Sequence, residues 1–409
     1  PRSIETARPL DEFAVIAISF MSELDYLNAA LLLENAGIPW AKKDRDDDSP
    51  LILAGGAAPS LNPAPVSAMA DLVVQGEWEA GAEQILEALH SAWRKRGRGF
   101  RTCLSSFIEG RCLDGSLISK LPPAKEVGAS LSLIPDKGAF GDMALIEATR
   151  GCPWSCRFCT AKALYRPYRC VDPQRIIQYA QDMKGSFSSL GLVGAGLSAR
   201  PDLLELLQAL LERDVRASLP SLRLDALTSP KLLNLLEKHE QRKLTTAPES
   251  FNPRILDILG KRAPKDGFVD ALRGLLDREF RRLKLYMIMG IPDDDYREST
   301  EIARRTLLAL GKKARRLELS FSVFQPKPAT LMAEMELAEK SSLKREAKHL
   351  RKSLGPLVGS LEMPGTRGIL LADLLCRGDT NALELALAGH PSKEEYRASI
   401  DRGKSWWLR

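Results

Sequence analysis

The stretch Glu147-Ala-Thr-Arg-Gly-Cys-Pro-Trp-Ser-Cys-Arg-Phe-Cys-Thr160 decides how the chain is read. It sets Cys152, Cys156 and Cys159 in a C-x3-C-x2-C spacing, on a loop that contains Gly151 and Pro153. The loop follows an apolar, strand-like run at Met143–Ala148. Three thiolates on one short loop can hold three irons of a four-iron cluster and leave the fourth open to a ligand, whereas a fully ligated cluster mainly carries electrons. A structural zinc site wants a fourth Cys or His. The nearest other thiol is Cys170, and His90, His239, His349 and His390 all lie elsewhere in the chain. The spacing favours a cluster, with zinc or chance as the remaining readings.

Working outward, the same grammar repeats. Strand-like runs occur at Met143–Ala148, Leu190–Gly194, Val215–Arg223, Lys243–Glu249, Leu283–Pro292 and Arg316–Phe324. Asp172-Pro173, Ser229-Pro230 and Asn252-Pro253 each offer an N-cap residue followed by Pro at the first helical position. Six βα units with right-handed crossovers predict an open (β/α)6 partial TIM barrel, with functional groups at the carboxyl ends of its strands. Upstream, Phe13–Phe20, Leu51–Gly56 and Ala70–Glu77 alternate with helical stretches, which predicts a partial doubly wound, Rossmann-like sheet. The fold class is therefore α/β, in four parts: residues 1–92, a connector at 93–140, the barrel at 141–330 and a helical tail at 331–409. Residues 93–140 hold the breakers Pro122-Pro123 and Gly138, and Cys103 and Cys112 there read as structural. In the tail Cys376 reads as buried, and Trp406-Trp407 either docks back onto the barrel or frays.

The cysteine loop resembles the signature of the radical S-adenosylmethionine (SAM) superfamily, in which an aromatic residue, here Phe158, precedes the last Cys. The resemblance spans roughly residues 140–330. It implies a 4Fe-4S cluster on Cys152, Cys156 and Cys159, with SAM chelated to the open iron and Phe158 near the adenine. It implies further that one electron cleaves SAM to a 5′-deoxyadenosyl radical that abstracts hydrogen from carbon.

The strand ends supply candidate contacts to SAM. Gly194 and Gly196 let backbone come close to a ligand, although the Glu of the family's Gly-Gly-Glu is absent. Ser221 and Arg223 share one strand face and suit the ribose or the methionine carboxylate. Glu249 resembles the family's SAM-contacting Glu, its structural alternative being an ion pair with Arg223 or Lys261. Gly290 and Pro292 resemble the Gly-x-Pro turn that packs on adenine, and Phe324-Gln-Pro-Lys-Pro328 resembles a segment of the cobalamin-type subgroup at the substrate end.

Residues 1–92 resemble the second half of the cobalamin-binding domain that precedes many such barrels. Gly55, Gly56, Gly76 and Glu77 fall at strand ends, where a ligand crevice is expected. The Asp-x-His-x-x-Gly motif that ligates cobalt in other cobalamin proteins is absent. The chain opens at Pro1, close to its first strand, so the beginning of a larger protein is expected to be missing. With only half a domain, weak or absent cobalamin binding is expected, without an imidazole on cobalt.

Composition narrows the partners. Seven cysteines in 409 residues are too sparse for a disulfide framework, and neither a signal peptide nor a membrane-length apolar run is seen, which suits a reducing cytoplasm. The hydrophobic fraction of 44% suffices for buried cores, and a net charge of +6 does not by itself indicate nucleic acid. The basic run Trp93–Arg101 reads as a solvated linker; with Lys312–Arg316 it motivates RNA modification as the alternative. A non-enzymatic metal-binding scaffold is the third reading. A small-molecule or natural-product substrate is favoured, with an external one-electron donor such as flavodoxin or ferredoxin.

Overall fold

The computed structural model describes residues 1–94, 111–113, 116–122 and 143–407, except 367 and 390. Residues 95–101 of the basic run, Cys103 and Gly138 lie outside the described residues.

The first sheet contains β1 (Val15–Ser19), β2 (Leu51–Gly55), β3 (Leu72–Gln75), β4 (Arg111–Leu113) and β5 (Ser116–Lys120), in the order β1-β2-β3-β5-β4. All pairings are parallel except β4 with β5. Its strands read as continuous apolar runs because both faces are covered. Ile52, Ala54 and Val73 pack with Tyr26, Ala29 and Leu33 of the helix Asp25–Glu34. Leu51, Leu53, Leu72 and Val74 face Ile85, Ala88 and Leu89 of the helix Ala82–Arg94. The sequence assigns 111–120 to a connector; instead, β5 pairs with β3 and β4 turns back on it. Strands this short carry too few residues for an apolar alternation, and the open edge of β3 recruits them through main-chain hydrogen bonds.

The second sheet runs β6 (Met143–Glu147), then, after the small antiparallel ribbon β7 (Thr149–Arg150) and β8 (Arg169–Cys170), β9 (Ser189–Val193), β10 (Ala217–Ser218), β11 (Lys243–Glu249), β12 (Arg282–Met289) and β13 (Leu317–Val323). β6, β9 and β10 pair in parallel, as do β11, β12 and β13, and the parallel bridge Leu222–Thr246 joins the two groups. These are the six expected barrel strands. The third is cut short relative to Val215–Arg223, because Pro220 offers no N–H within the run. The expected N-caps form: Asp172 accepts from Gln174 N–H at 2.9 Å, Ser229 from Leu232 at 3.4 Å and Asn252 from Arg254 at 3.0 Å.

The tail does more than extend the barrel. Its β14 (Ser360–Glu362) adds a parallel strand to the edge of β13, from a three-residue segment too short to carry periodicity. Its helices Ile369–Arg377 and Ala382–Leu387 cover the first sheet, burying Leu374, Leu375 and Leu383 against the core that holds Ile52 and Ala54. Asn62 Nδ2 donates to the carbonyls of Cys376 and Gly378, at 3.1 and 2.8 Å, and Cys376 itself is buried. The question left open at Trp406-Trp407 is resolved by docking, onto the tail's own helix. Trp407 is 5% exposed and its Nε1 donates to Arg377 O at 2.9 Å.

Trp407→Ala should lower the unfolding free energy by about 3 kcal/mol, through lost packing and a lost hydrogen bond. Trp407→Phe should cost only about 1–2 kcal/mol. Urea unfolding of the two variants checks this, and equal midpoints for Trp407→Ala and the parent would contradict the docking.

Candidate functional site

The cysteine loop hangs from a narrow neck. Thr149 pairs with Cys170 and Arg150 with Arg169, so that residues 151–168 leave and return through β7 and β8. Cys152, Cys156 and Cys159 are free and partly exposed. Burial pushes the Cys156 and Cys159 thiols up, and neighbouring thiols add to this; Lys261 and Arg223 pull Cys156 the other way. Among the described residues no three Cys, His, Asp or Glu side chains converge closely enough to hold a single metal ion. An iron–sulfur cube spreads its thiolates wider than one ion does, so three thiols outside any disulfide that still feel one another's charge fit the larger group. Trp154, on the same loop, keeps its indole N–H buried without an acceptor.

Phe158 anchors the loop. It packs against Ile255, Leu259, Ile291, Phe324 and Met332, which brings it beside the Gly290–Pro292 turn and the end of β13. Arg157 N–H donates to Leu259 O at 2.8 Å. The end of β9 lies directly under the loop. A Cβ on Gly194 would come within 2.0 Å of Thr149 Oγ1, and one on Gly196 within 2.7 Å of the Tyr168 ring. Tyr168 donates from its hydroxyl to Gly196 O at 3.0 Å. The structure thus gives these two glycines a reason within the protein: close packing of β9 onto the neck of the loop.

The other predicted residues divide. Ser221 is exposed at the bridge to β11. Arg223 bonds Asp225 at 2.9 Å and stacks its guanidinium 4.2 Å from the Trp154 ring, so it braces the cysteine loop. Glu249 ends β11 in a left-handed conformation, φ +68°, a strained setting for a non-glycine residue. Its carboxylate meets Lys261 Nζ at 2.9 Å, which forms the ion pair foreseen as its structural alternative. Burial raises the Glu249 carboxyl and Lys261 opposes that rise. Gly290, at φ +70°, donates its N–H to Glu346 at 3.1 and 3.2 Å, and Pro292 follows, partly buried.

In the first sheet Gly55, Gly56 and Gly76 line a cavity of about 270 Å³ together with Ser19, Val74 and Trp78. Glu77 points elsewhere, into ion pairs with Arg150 and Arg169, beside a second cavity of about 300 Å³ that reaches Leu164 and Arg166 of the cysteine loop. Of the basic stretch Lys312–Arg316, Lys313 pairs with Asp277 at the surface, and Arg316 donates to the carbonyls of Leu276, Arg278 and Phe280, which ties it into the fold.

Sequence reasoning missed Trp154 and Glu346. Trp154 offered no signal beyond its place in the loop. Glu346 did offer one: it falls on the apolar stripe Leu343, Leu350 and Leu354 of the helix Lys340–Leu354, where an acidic residue is out of place.

Residues 1–110 match the family described as "Radical SAM proteins, N-terminal" and residues 146–305 the "Radical SAM superfamily". The chain is 24% identical over 386 residues to an uncharacterized protein of Methanocaldococcus jannaschii, covering 92% of this chain and 81% of that protein. It is 31% identical over 126 residues to the hopanoid C-3 methylase of Methylococcus capsulatus, covering 28% and 22%. Its fold is similar to that of the radical SAM methyltransferase TsrM from Kitasatospora setae, solved with cobalamin and a 4Fe-4S cluster bound. The TM-score is 0.58 at 12% identity, over 96% of this chain and 88% of that one.

Burial pushes the Glu346 carboxyl up to about 7. A carboxyl raised in the folded state keeps its proton there while the unfolded chain releases its own near pH ~4.3. Its contribution to stability is complete below that pH and is lost as pH rises through about 7. Glu346→Gln retains an acceptor for Gly290 and cannot ionise. The variant should be more stable than the parent at pH ~8 by up to about 3 kcal/mol and should lose the pH dependence below pH ~7. Urea midpoints at the two ends of that range test it, and parallel pH profiles would contradict it.

Proposed function

The chain belongs to the radical SAM superfamily and is an enzyme; from that premise we propose that it transfers a methyl group to a carbon of a small-molecule substrate. In this reading Cys152, Cys156 and Cys159 hold a 4Fe-4S cluster, SAM lies at the barrel mouth, and a corrinoid occupies the strand ends of the first sheet. The observation that carries the proposal is the way the two sheets meet. Glu77, just past β3, pairs with Arg150, just past β6; Glu23, past β1, pairs with Lys327, past β13, at 2.8 Å. Both ion pairs join carboxyl end to carboxyl end, so the barrel mouth and the crevice of the first sheet face each other.

When bound at such a loop, a cluster and SAM supply one-electron cleavage of a carbon–sulfur bond, and a corrinoid supplies a carrier for methyl. The chain's own residues do the holding. Phe158 and the Gly290–Pro292 turn offer an apolar seat for adenine. Arg223, with its fork partly engaged by Asp225, suits the methionine carboxylate. Backbone groups at Gly194 and Gly196, Ser221, and Glu249 held by Lys261 are left for the ammonium and ribose. Gly55, Gly56 and Gly76 leave room at the first sheet, and no His stands among the residues of that cavity, so cobalt would carry no imidazole from it. β4 and β5 lengthen the first sheet at its β3 edge, and the titration below decides between binding and the weak or absent binding expected from the sequence. The electron would come from an external donor such as flavodoxin or ferredoxin. The names of TsrM and the hopanoid methylase support methyl transfer as the reaction class. The bonds tying Arg316 into the fold favour a small molecule over RNA.

Anaerobic reconstitution should give about four irons and four sulfides per chain, and the Cys152→Ala/Cys156→Ala/Cys159→Ala variant almost none. Reduction with SAM should release S-adenosylhomocysteine, or 5′-deoxyadenosine where hydrogen abstraction dominates. Titrated hydroxocobalamin should bind with a visible spectrum lacking imidazole ligation. Wild-type cluster content in the triple variant would refute the cysteine assignment, and an unchanged corrinoid spectrum would remove cobalamin.

A further inference from the structure

The neck of the cysteine loop places two cations face to face. Arg150 and Arg169 are direct cross-strand partners on a ribbon only two residues long. Like charges directly opposite each other destabilise a strand pair, and so short a ribbon has few hydrogen bonds to resist that repulsion. The remedy comes from the other sheet. Glu77, just past the carboxyl end of β3, inserts a carboxylate whose side chain is 3% exposed. Its Oε2 accepts from Arg169 Nη1 at 2.9 Å and from Arg150 Nη1 at 3.2 Å, while Oε1 accepts from Arg169 Nη2. Arg150 is held further by Glu147 at 2.6 Å and by Glu79 at 2.7 Å. Glu77 thus bonds to both arms of the neck.

We propose that Glu77 is the positioning residue of the cluster-binding loop, so that the first sheet sets the geometry of Cys152, Cys156 and Cys159 through one carboxylate. The residue does not touch the reacting atoms. It closes the neck, and the neck fixes the loop, since Gly151 and Cys152 follow Arg150 directly. This gives the first sheet a part in the chemistry that does not depend on its holding a corrinoid. The inference rests on the cysteine assignment above in so far as it concerns the cluster.

Hydrogen exchange on the cluster-free chain separates the two claims. Glu77→Gln keeps the size of the side chain and removes the charge; Arg169→Lys keeps the charge and removes the fork, and it decides the matter if Glu77→Gln does not fold. Glu23→Gln breaks a separate ion pair between the same two sheets, that with Lys327, and controls for lost docking in general. Peptides within 151–168 should exchange about tenfold faster in Glu77→Gln and Arg169→Lys, and at the parental rate in Glu23→Gln. After reconstitution, electron paramagnetic resonance of the reduced cluster should show SAM binding weakened about tenfold in Glu77→Gln at unchanged iron content. Parental exchange in both neck variants, or an equal rise in Glu23→Gln, would overturn the proposal. A parent chain that takes up no cluster would refute the cysteine assignment instead, and the exchange results would still judge the neck.

Discussion

The direction of the strands is the constraint on which the rest depends. Every strand that builds the barrel sheet runs parallel to its neighbours, and so do all but one of the first sheet. Parallel strands gather their carboxyl ends on one side, and the loops there are free to carry side chains that the packed sheet cannot. Two such sheets, placed mouth to mouth, enclose a space whose walls are loops from both. The cysteine loop follows β6 and shares a cavity with Gly76 and Glu77, just past β3, while Gly55 and Gly56 line the neighbouring cavity of the first sheet. The tail fixes the first sheet in its turn, with Asn62 reading the carbonyls at the end of the helix Ile369–Arg377.

Charge in this space is balanced locally. Lys261 lies against Glu249, Asp225 against Arg223, and Glu77 between Arg150 and Arg169. A charge withdrawn from water without a partner is costly, whereas a partnered one holds a fixed direction. The pairs therefore act as struts. Burial holds the Cys156 thiol up, and Lys261 and Arg223 of these pairs partly offset that. The strained backbone of Glu249 belongs to the same arrangement: a carboxylate turned out of its strand is kept in place by a lysine from the following helix–loop segment.

Much of this was legible in the residues. The six barrel strands followed from apolar runs spaced by Asp-Pro, Ser-Pro and Asn-Pro starts, and the caps formed as read. The glycines at 194 and 196 were legible as close-approach positions, but the atoms that approach proved to be Thr149 and Tyr168. A sequence announces that a side chain must be absent; it does not announce what fills the space. Glu77 was legible as a strand-end carboxylate in a ligand crevice, and its partners stand 73 and 92 residues away.

What the sequence alone determined is local: the cysteine spacing, the helix starts, the apolar runs and hence the parallel α/β class. These depend on residues within a few positions of one another, where spacing and backbone propensity act directly. Only the tertiary structure decided that Arg111–Leu113 and Ser116–Lys120 join the first sheet, that Ser360–Glu362 extend the barrel and that the tail helices cover the opposite domain. It alone placed Glu77 at the neck of the cysteine loop. In each case the deciding contact is a free strand edge, an uncovered face or an unbalanced charge, and such a demand appears only once distant parts of the chain have been brought together.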